Sequence, residues 1–138
     1  MSGRLAFAGL AAMVLLTRLA HSGILWDEEG YPLAAAIQTL YGKVIYRDFW
    51  FDKPPLFPAV YLLAGARDGW PLRVLSAAFV MGSCWVLYRF ASELWGKREA
   101  VLAASLCGFF LTFWVPPAVI ALGSDSLMIA PHAAAVWC

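Results

Sequence analysis

The chain has 138 residues, of which 62% are hydrophobic and 14% are charged, and its formal net charge is +1. Soluble globular domains are about 45–50% apolar and about 25% charged, so this composition excludes an ordinary soluble domain. The near-neutral charge balance, with no basic run, gives no indication of a nucleic-acid partner. The three cysteines are widely separated within apolar segments, which excludes a cysteine-based metal motif.

The charged residues are concentrated in one part of the chain. Eight of the nineteen lie between Trp26 and Lys53, and none lies between Ala100 and Ser124. Long uncharged stretches joined by short charged ones are typical of membrane spans and their loops. The predicted fold class is therefore all-α, a multi-pass transmembrane helical protein.

The first apolar segment runs from about residue 5 to residue 25 and is long enough to cross a hydrocarbon core of ~30 Å. A cleaved signal peptide is the alternative, because small residues occur near residue 20. The apolar stretch continues to Leu25, which favours a retained span. Arg18 lies inside this span and requires a partner, an aqueous face or a nearby interface.

The second apolar segment, residues 54–66, is shorter. At ~1.5 Å per residue a helix of this length covers about 20 Å, too little to cross the membrane. Pro54-Pro55 is a natural helix start, so we interpret the segment as an interfacial or re-entrant helix, with a short span as the alternative. Further spans are predicted at about residues 71–95, 100–116 and 126–138.

The chain stops within apolar sequence at Cys138, with no polar tail, and we interpret this end as a truncation. Residues 1–138 are thus expected to be the N-terminal part of a single transmembrane module. A complete module requires more spans than are visible here.

Orientation depends on whether residues 54–66 cross. If they do not, Arg4, Lys97 and Arg98 lie on one side of the membrane, and the positive-inside rule makes that side cytoplasmic. The loop of residues 26–70 is then extracytoplasmic and carries juxtamembrane helices. If residues 54–66 do cross, the Lys97-Arg98 turn lies outside, which fits the rule less well.

The extracytoplasmic loop begins with a predicted amphipathic helix from Glu28 to Tyr41 that lies along the membrane surface. Asp27 is the expected N-cap and Gly42 the expected stop. Nine of the twenty-one aromatic residues occur in or next to this loop. They indicate either an interfacial aromatic belt or a platform for a sugar ring or lipid chain.

Two kinds of charged group in this loop suggest chemistry. Asp27, Glu28 and Glu29 form either a solvated capping cluster or a site where a carboxylate accepts a proton from an acceptor hydroxyl. Lys53 either anchors at the interface or offers a compact positive charge to a lipid phosphate. An acid and a base on one short loop suit a reaction with an anionic leaving group.

The order of motifs along the chain resembles the C-type superfamily of membrane glycosyltransferases, specifically the bacterial relatives of protein O-mannosyltransferase and of the aminoarabinose transferase that modifies lipid A. Each motif is weak alone, and the ordered set is specific for the superfamily. The matching segments are Trp26-Asp27-Glu28 with Tyr31, Gly42, Tyr46-Arg47-Asp48-Phe49, Lys53-Pro54-Pro55-Leu56, Leu72 to Ala77, and Gly123 to Leu127.

The resemblance implies transfer of a sugar from a polyprenyl-phosphate donor to a lipid, glycan or protein acceptor, in a bacterial inner membrane and among its lipids. It implies Asp27 as the catalytic base with Glu28 beside it, and Lys53 and Arg73 as ligands of the donor phosphate. It also implies Asp125 as a second acidic site residue.

The resemblance assigns no cofactor, but in some members the residue before K-P-P is an acid that helps to hold a divalent ion, so Asp52 allows a metal here. Pro32 and Val74 depart from the family pattern. Two other functions stay open from the sequence. One is a transporter or flippase-like protein, which would also need intramembrane charges and a short re-entrant helix. The other is an inactive truncated fragment.

Overall fold

The computed structural model describes residues 3–114 and 122–137, with side chains from residue 5 onward except those of residues 124–126. This part of the chain is all-helical and contains no β-strand, which confirms the predicted fold class as far as its all-α character. Its six helices are α1 (Gly3–Ala20), α2 (Asp27–Leu40), α3 (Leu56–Leu63), α4 (Trp70–Leu94), α5 (Lys97–Phe113) and α6 (Ser124–Trp137).

Helices α1, α4, α5 and α6 form a bundle with alternating directions. Near the C-terminal ends of α1 and α5, Arg18 Nη2 donates to the carbonyl of Leu111 at 2.7 Å. At the opposite end, Trp137 Nε1 donates to Glu93 Oε2 at 2.6 Å, which brings together the C-terminal ends of α6 and α4. Helices α1 and α5 therefore run parallel to each other and antiparallel to α4 and α6.

Helices α2 and α3 lie at the end of the bundle where α1 ends and α4 begins, which we call the loop end. Arg73 in the first turn of α4 pairs with Glu29 of α2, and Tyr61 of α3 donates to the carbonyl of Leu122 just before α6. The chain thus leaves α1 and enters α4 at the same end of the bundle. This arrangement requires that α3 does not carry the chain to the other end of the bundle.

One described helix, α4, is both long enough and apolar enough to cross a membrane. Leu5–Ala20 and Leu127–Trp137 are shorter apolar helical stretches. The first helix ends five residues before the predicted limit at Leu25, because His21, Ser22 and Gly23 form a turn. The fifth helix begins at Lys97, slightly before the predicted start near residue 100.

The ends of α2 test two local predictions. Trp26 occupies the N-cap position without a side-chain cap, so the prediction that Asp27 caps this helix is wrong. The Trp26 carbonyl accepts the N–H groups of Glu29 and Gly30, both at 2.9 Å, which draws Asp27 into the first turn. At the other end Gly42 has φ +80° and its N–H bonds to the Thr39 carbonyl at 2.9 Å, so the predicted stop is confirmed.

Helix α3 is shorter than the predicted 54–66 segment. It begins directly after Pro55, has eight residues and covers about 12 Å at ~1.5 Å per residue. The chain then turns through Gly65 and Ala66, which both have positive φ. The buried side chains of Phe57 and Tyr61 pack with those of α2, so α3 is part of the loop-end core.

Candidate functional site

The three consecutive acids of α2 have different environments. Asp27 and Glu28 are exposed, whereas Glu29 is completely buried. Successive residues on an α-helix are about 100° apart, so three neighbours cannot share one face. The helix therefore presents the two proposed catalytic carboxylates to the outside and turns the third into the protein.

Glu29 forms a two-point ion pair with Arg73. Arg73 Nη1 donates to Oε1 of Glu29 at 2.8 Å, and Nη2 donates to Oε2 at 3.0 Å. The side chains are 0% exposed for Glu29 and 2% exposed for Arg73. Arg73 Nη2 also donates to the carbonyl of Ile24, in the segment between α1 and α2. Arg73 thereby joins the start of α4 to both the start of α2 and the chain that precedes it.

Two further polar side chains are buried around this pair. Arg18 is 2% exposed and interacts electrostatically with both Arg73 and Glu29. Tyr61 also interacts electrostatically with both, and its hydroxyl donates to the Leu122 carbonyl at 2.7 Å. We call Arg18, Glu29, Tyr61 and Arg73 the buried polar cluster. It receives side chains from α1, α2, α3 and α4 at the loop end of the bundle.

A row of aromatic rings connects the outer face of α2 with Lys53. The Tyr31 ring stacks on Phe51 with centroids 4.8 Å apart, and Phe51 lies 6.4 Å from Phe57. Tyr31 is four residues after Asp27 and so lies on the same face of α2. At the other end of the row, Lys53 Nζ is 5.7 Å from the centroid of Phe57. The row thus runs from the exposed Tyr31 ring, on the Asp27 face of α2, through the buried rings of Phe51 and Phe57 to Lys53.

The Y-R-D-F motif builds a tight turn beside Lys53. Tyr46 has φ +68°, and its N–H donates to the Phe49 carbonyl at 2.9 Å. Asp48 Oδ2 accepts the N–H of Val44 at 2.8 Å, and Arg47 donates to both Asp48 oxygens. The Tyr46 hydroxyl donates to the backbone carbonyl of Lys53 at 2.5 Å. These contacts hold the Lys53 backbone against the turn.

The electrostatics of this turn are local. The hydrogen bonds from Arg47, followed by the one from the Val44 backbone, hold the pKa of the Asp48 carboxyl below its ordinary value of 3.8. Asp48 raises the pKa of Arg47 through the same contact. Both groups stay ionised at neutral pH, so the turn carries a compensated pair of charges.

The remaining predicted site residues are less closely connected. Asp52 is exposed, and no group of three or more His, Cys, Asp or Glu side chains that could hold a metal ion occurs within residues 3–114 and 122–137. Asp125 lies in the first turn of α6 at the loop end, but its side chain is outside the described residues. Arg73, predicted to hold the donor phosphate, is buried and paired with Glu29.

Three members of the buried polar cluster are not among the predicted site residues: Arg18, Glu29 and Tyr61. Glu29 was one of three adjacent acids, and nothing in its local sequence distinguishes it from Asp27 and Glu28. Arg18 was recognised only as a charge inside an apolar segment. One signal could have linked them. Arg18 and Arg73 are charged residues within apolar segments, and a charge that is buried there requires a partner.

Within the described residues, the fold and the site define an all-helical protein whose apolar bundle carries two further helices and the buried polar cluster at its loop end. The family model for dolichyl-phosphate-mannose-protein mannosyltransferase matches residues 52–138, which is more than half of the chain. The chain therefore belongs to this family, whose members are membrane glycosyltransferases. The match includes Lys53, Arg73 and Asp125, and it begins after Asp27 and Glu28. No curated protein and no solved structure matches the chain.

Proposed function

We propose that this protein is a multi-pass glycosyltransferase of the bacterial inner membrane. It transfers a sugar from a polyprenyl-phosphate donor to a lipid, glycan or protein acceptor on the extracytoplasmic face. The observation that carries this proposal is the family match over residues 52–138. The match contains the K-P-P-L segment that begins with Lys53, next to the aromatic row.

The directions of the helices support the proposed orientation. Exposed Lys97 and Arg98 begin α5, at the end of the bundle opposite to α2 and α3. Basic residues favour the cytoplasmic side, which supports an extracytoplasmic position for the loop end. Helices α1, α5 and α6 are proposed as further spans beside α4.

In the proposed reaction the acceptor hydroxyl forms a hydrogen bond to Asp27, which is exposed and so accessible to an acceptor. The acceptor oxygen attacks the anomeric carbon, and the bond from that carbon to the phosphate oxygen breaks. The hydroxyl proton passes to Asp27, and the polyprenyl phosphate leaves with the electron pair. Inversion follows from attack on the face opposite the leaving group, and Glu28 adds negative charge beside the base.

Lys53 is proposed to stabilise the charge that develops on the departing phosphate. Its position over Phe57 places an ammonium group beside an apolar surface, where electrostatic interactions are stronger than in water. Asp52 precedes it but is a single exposed carboxylate, and this donor set does not fit a protein-held divalent cation within the described residues. No step of the proposed reaction passes through a metal.

The test is transfer of sugar from a polyprenyl-phosphate donor by membranes that contain the full-length protein. Asp27→Asn should lower kcat by about 100-fold or more, since general-base catalysis contributes that much. Lys53→Ala should also lower turnover by about 100-fold, as loss of one charge-stabilising donor does. Asp68→Asn is the matched control, because Asp68 is an exposed acid at the same end of the bundle.

Two results would contradict the proposal. If Asp27→Asn and Lys53→Ala both transferred sugar at the wild-type rate, these residues would not form the site. If the wild type moved the lipid-linked sugar across vesicles without forming product, the protein would be a transporter rather than a transferase.

A further inference from the structure

The Glu29–Arg73 pair clamps the first turn of α2 from two directions. The two parallel hydrogen bonds fix both the distance of Glu29 from α4 and the rotation of its carboxylate. The bond from Arg73 to the Ile24 carbonyl holds the chain three residues before α2 begins. Asp27 lies between these two attachment points.

The backbone of the first turn transmits this constraint to Asp27. The N–H of Glu29 and the N–H of Gly30 both bond to the carbonyl of Trp26, at 2.9 Å each. Asp27 is the residue next to Trp26 and lies inside this hydrogen-bonded turn. A rotation or shift of Glu29 therefore moves the Asp27 carboxylate with it.

Stability alone does not explain a fully buried pair of this kind. Removing two charges from water is costly, and an apolar pair of similar volume often stabilises a protein equally well or better. A two-point ion pair differs from an apolar contact in that it allows one relative orientation of its partners. Its specific contribution is therefore geometric.

We propose that Glu29 and Arg73 are positioning residues, which fix the first turn of α2 so that Asp27 and Glu28 face the acceptor. Arg73 then acts through Glu29 and does not contact the donor phosphate. This inference rests on the proposed function, because it assigns the pair a role in the same transfer reaction. It adds Glu29 to the site and changes the role that the family resemblance gives to Arg73.

The experiment compares Glu29→Gln, Arg73→Gln and the double variant in the full-length protein, with rates normalised to folded protein in membranes. Each single variant should lower kcat by about 100-fold, the effect of a shift of about 1 Å in a catalytic group, and leave the donor KM nearly unchanged. The double variant should be no slower than either single variant, because both substitutions break one unit. Ser83→Ala, which removes a buried hydroxyl from α4 far from α2, should keep the wild-type kcat.

Three kinetic results would overturn the proposal. A raised donor KM in Arg73→Gln with normal kinetics in Glu29→Gln would show that Arg73 binds the phosphate directly. Additive losses in the double variant would show that the two residues act separately. Normal kcat per folded molecule with a reduced folded fraction would show a purely structural role. If Glu29→Gln does not fold, the double variant decides, since it leaves no charge of the pair buried, and a wild-type kcat there would overturn the proposal.

A second measurement does not depend on transferase activity. In a background without the native cysteines, Asp27→Cys reports the position of the first turn through its rate of modification by a membrane-impermeant thiol reagent. Adding Glu29→Gln should change that rate, whereas adding Ser83→Ala should not. An unchanged rate in the Glu29→Gln background would overturn the positioning role, even if the wild type proved not to be a transferase.

Discussion

Among the residues that the structure describes, two arginine–carboxylate pairs have nearly equal geometry but opposite surroundings. Arg73 Nη1 lies 2.8 Å from Glu29 Oε1, and the two side chains are 2% and 0% exposed. Arg47 Nη2 also lies 2.8 Å from Asp48 Oδ2, but these side chains are 70% and 32% exposed. The first pair joins residues 44 positions apart in the sequence, and the second joins neighbours.

The difference shows that distance alone does not define the role of an ion pair. In the exposed pair, water and salt compete with the contact, so its contribution to stability is small and its effect is limited to one turn. In the buried pair, each charge depends on the other because no solvent can replace the partner. The buried pair therefore controls how two helices meet, whereas the exposed pair organises the loop that holds the Lys53 backbone.

The largest effect expected from this comparison follows Glu29→Ala. The substitution leaves the Arg73 guanidinium buried without its carboxylate, which should lower the free energy of unfolding by about 3–5 kcal/mol. Unfolding in detergent measures this change. Glu29→Ala combined with Arg73→Met should recover much of the loss, because the double variant buries no charge from the pair. If Glu29→Ala lowered the free energy of unfolding by less than about 1 kcal/mol, the buried pair would contribute no more than an ordinary surface ion pair. The contrast between the buried and the exposed pair would then be wrong.

A smaller effect is expected from Tyr61→Phe, which removes a neutral buried hydrogen bond in the same cluster. The Leu122 carbonyl loses its donor, and an unsatisfied buried acceptor costs about 1–3 kcal/mol. In the same unfolding measurement, Tyr61→Phe should therefore lose less stability than Glu29→Ala and more than a variant that breaks the exposed ion pair. Tyr41→Phe is the control, since Tyr41 is 79% exposed and should show no change. Equal losses in the two variants would contradict the buried bond.

Much of the fold followed from the sequence because it depends on local or compositional signals. The apolar fraction indicated an all-helical membrane protein. Gly42 marked the end of α2 because glycine readily adopts the positive φ that the structure shows there. Pro54-Pro55 marked the start of α3. The N-cap of α2 was predicted incorrectly because an acid at a helix start can sit at the cap or in the first turn. The Trp26 carbonyl decides between them by accepting the first helical hydrogen bonds.

The candidate site was less predictable because its members are placed by tertiary contacts. The sequence identified three adjacent acids, but the rotation of α2 against α4 determines that Glu29 is the buried one. The family resemblance implies that Arg73 binds the donor phosphate. Its contact with Glu29 joins residues 44 positions apart, so it depends on how the chain folds back on itself. Arg18 clearly required a partner, but only the packing of α1 on α5 shows that Leu111 provides a carbonyl.

The smallest effect is expected at the exposed pair, and it depends on pH. Arg47 lowers the pKa of Asp48 below its ordinary value of 3.8, so the folded state favours the carboxylate more than the unfolded chain does. Whatever stability the pair contributes is fully present above pH 3.8 and is lost as the pH falls through the lowered pKa. Thermal unfolding of the wild type and Asp48→Asn should therefore differ little at pH 7, and that small difference should shrink in acid and in high salt. A difference that grew as the pH fell, or that matched the loss in Glu29→Ala, would show that solvent exposure does not separate the two pairs.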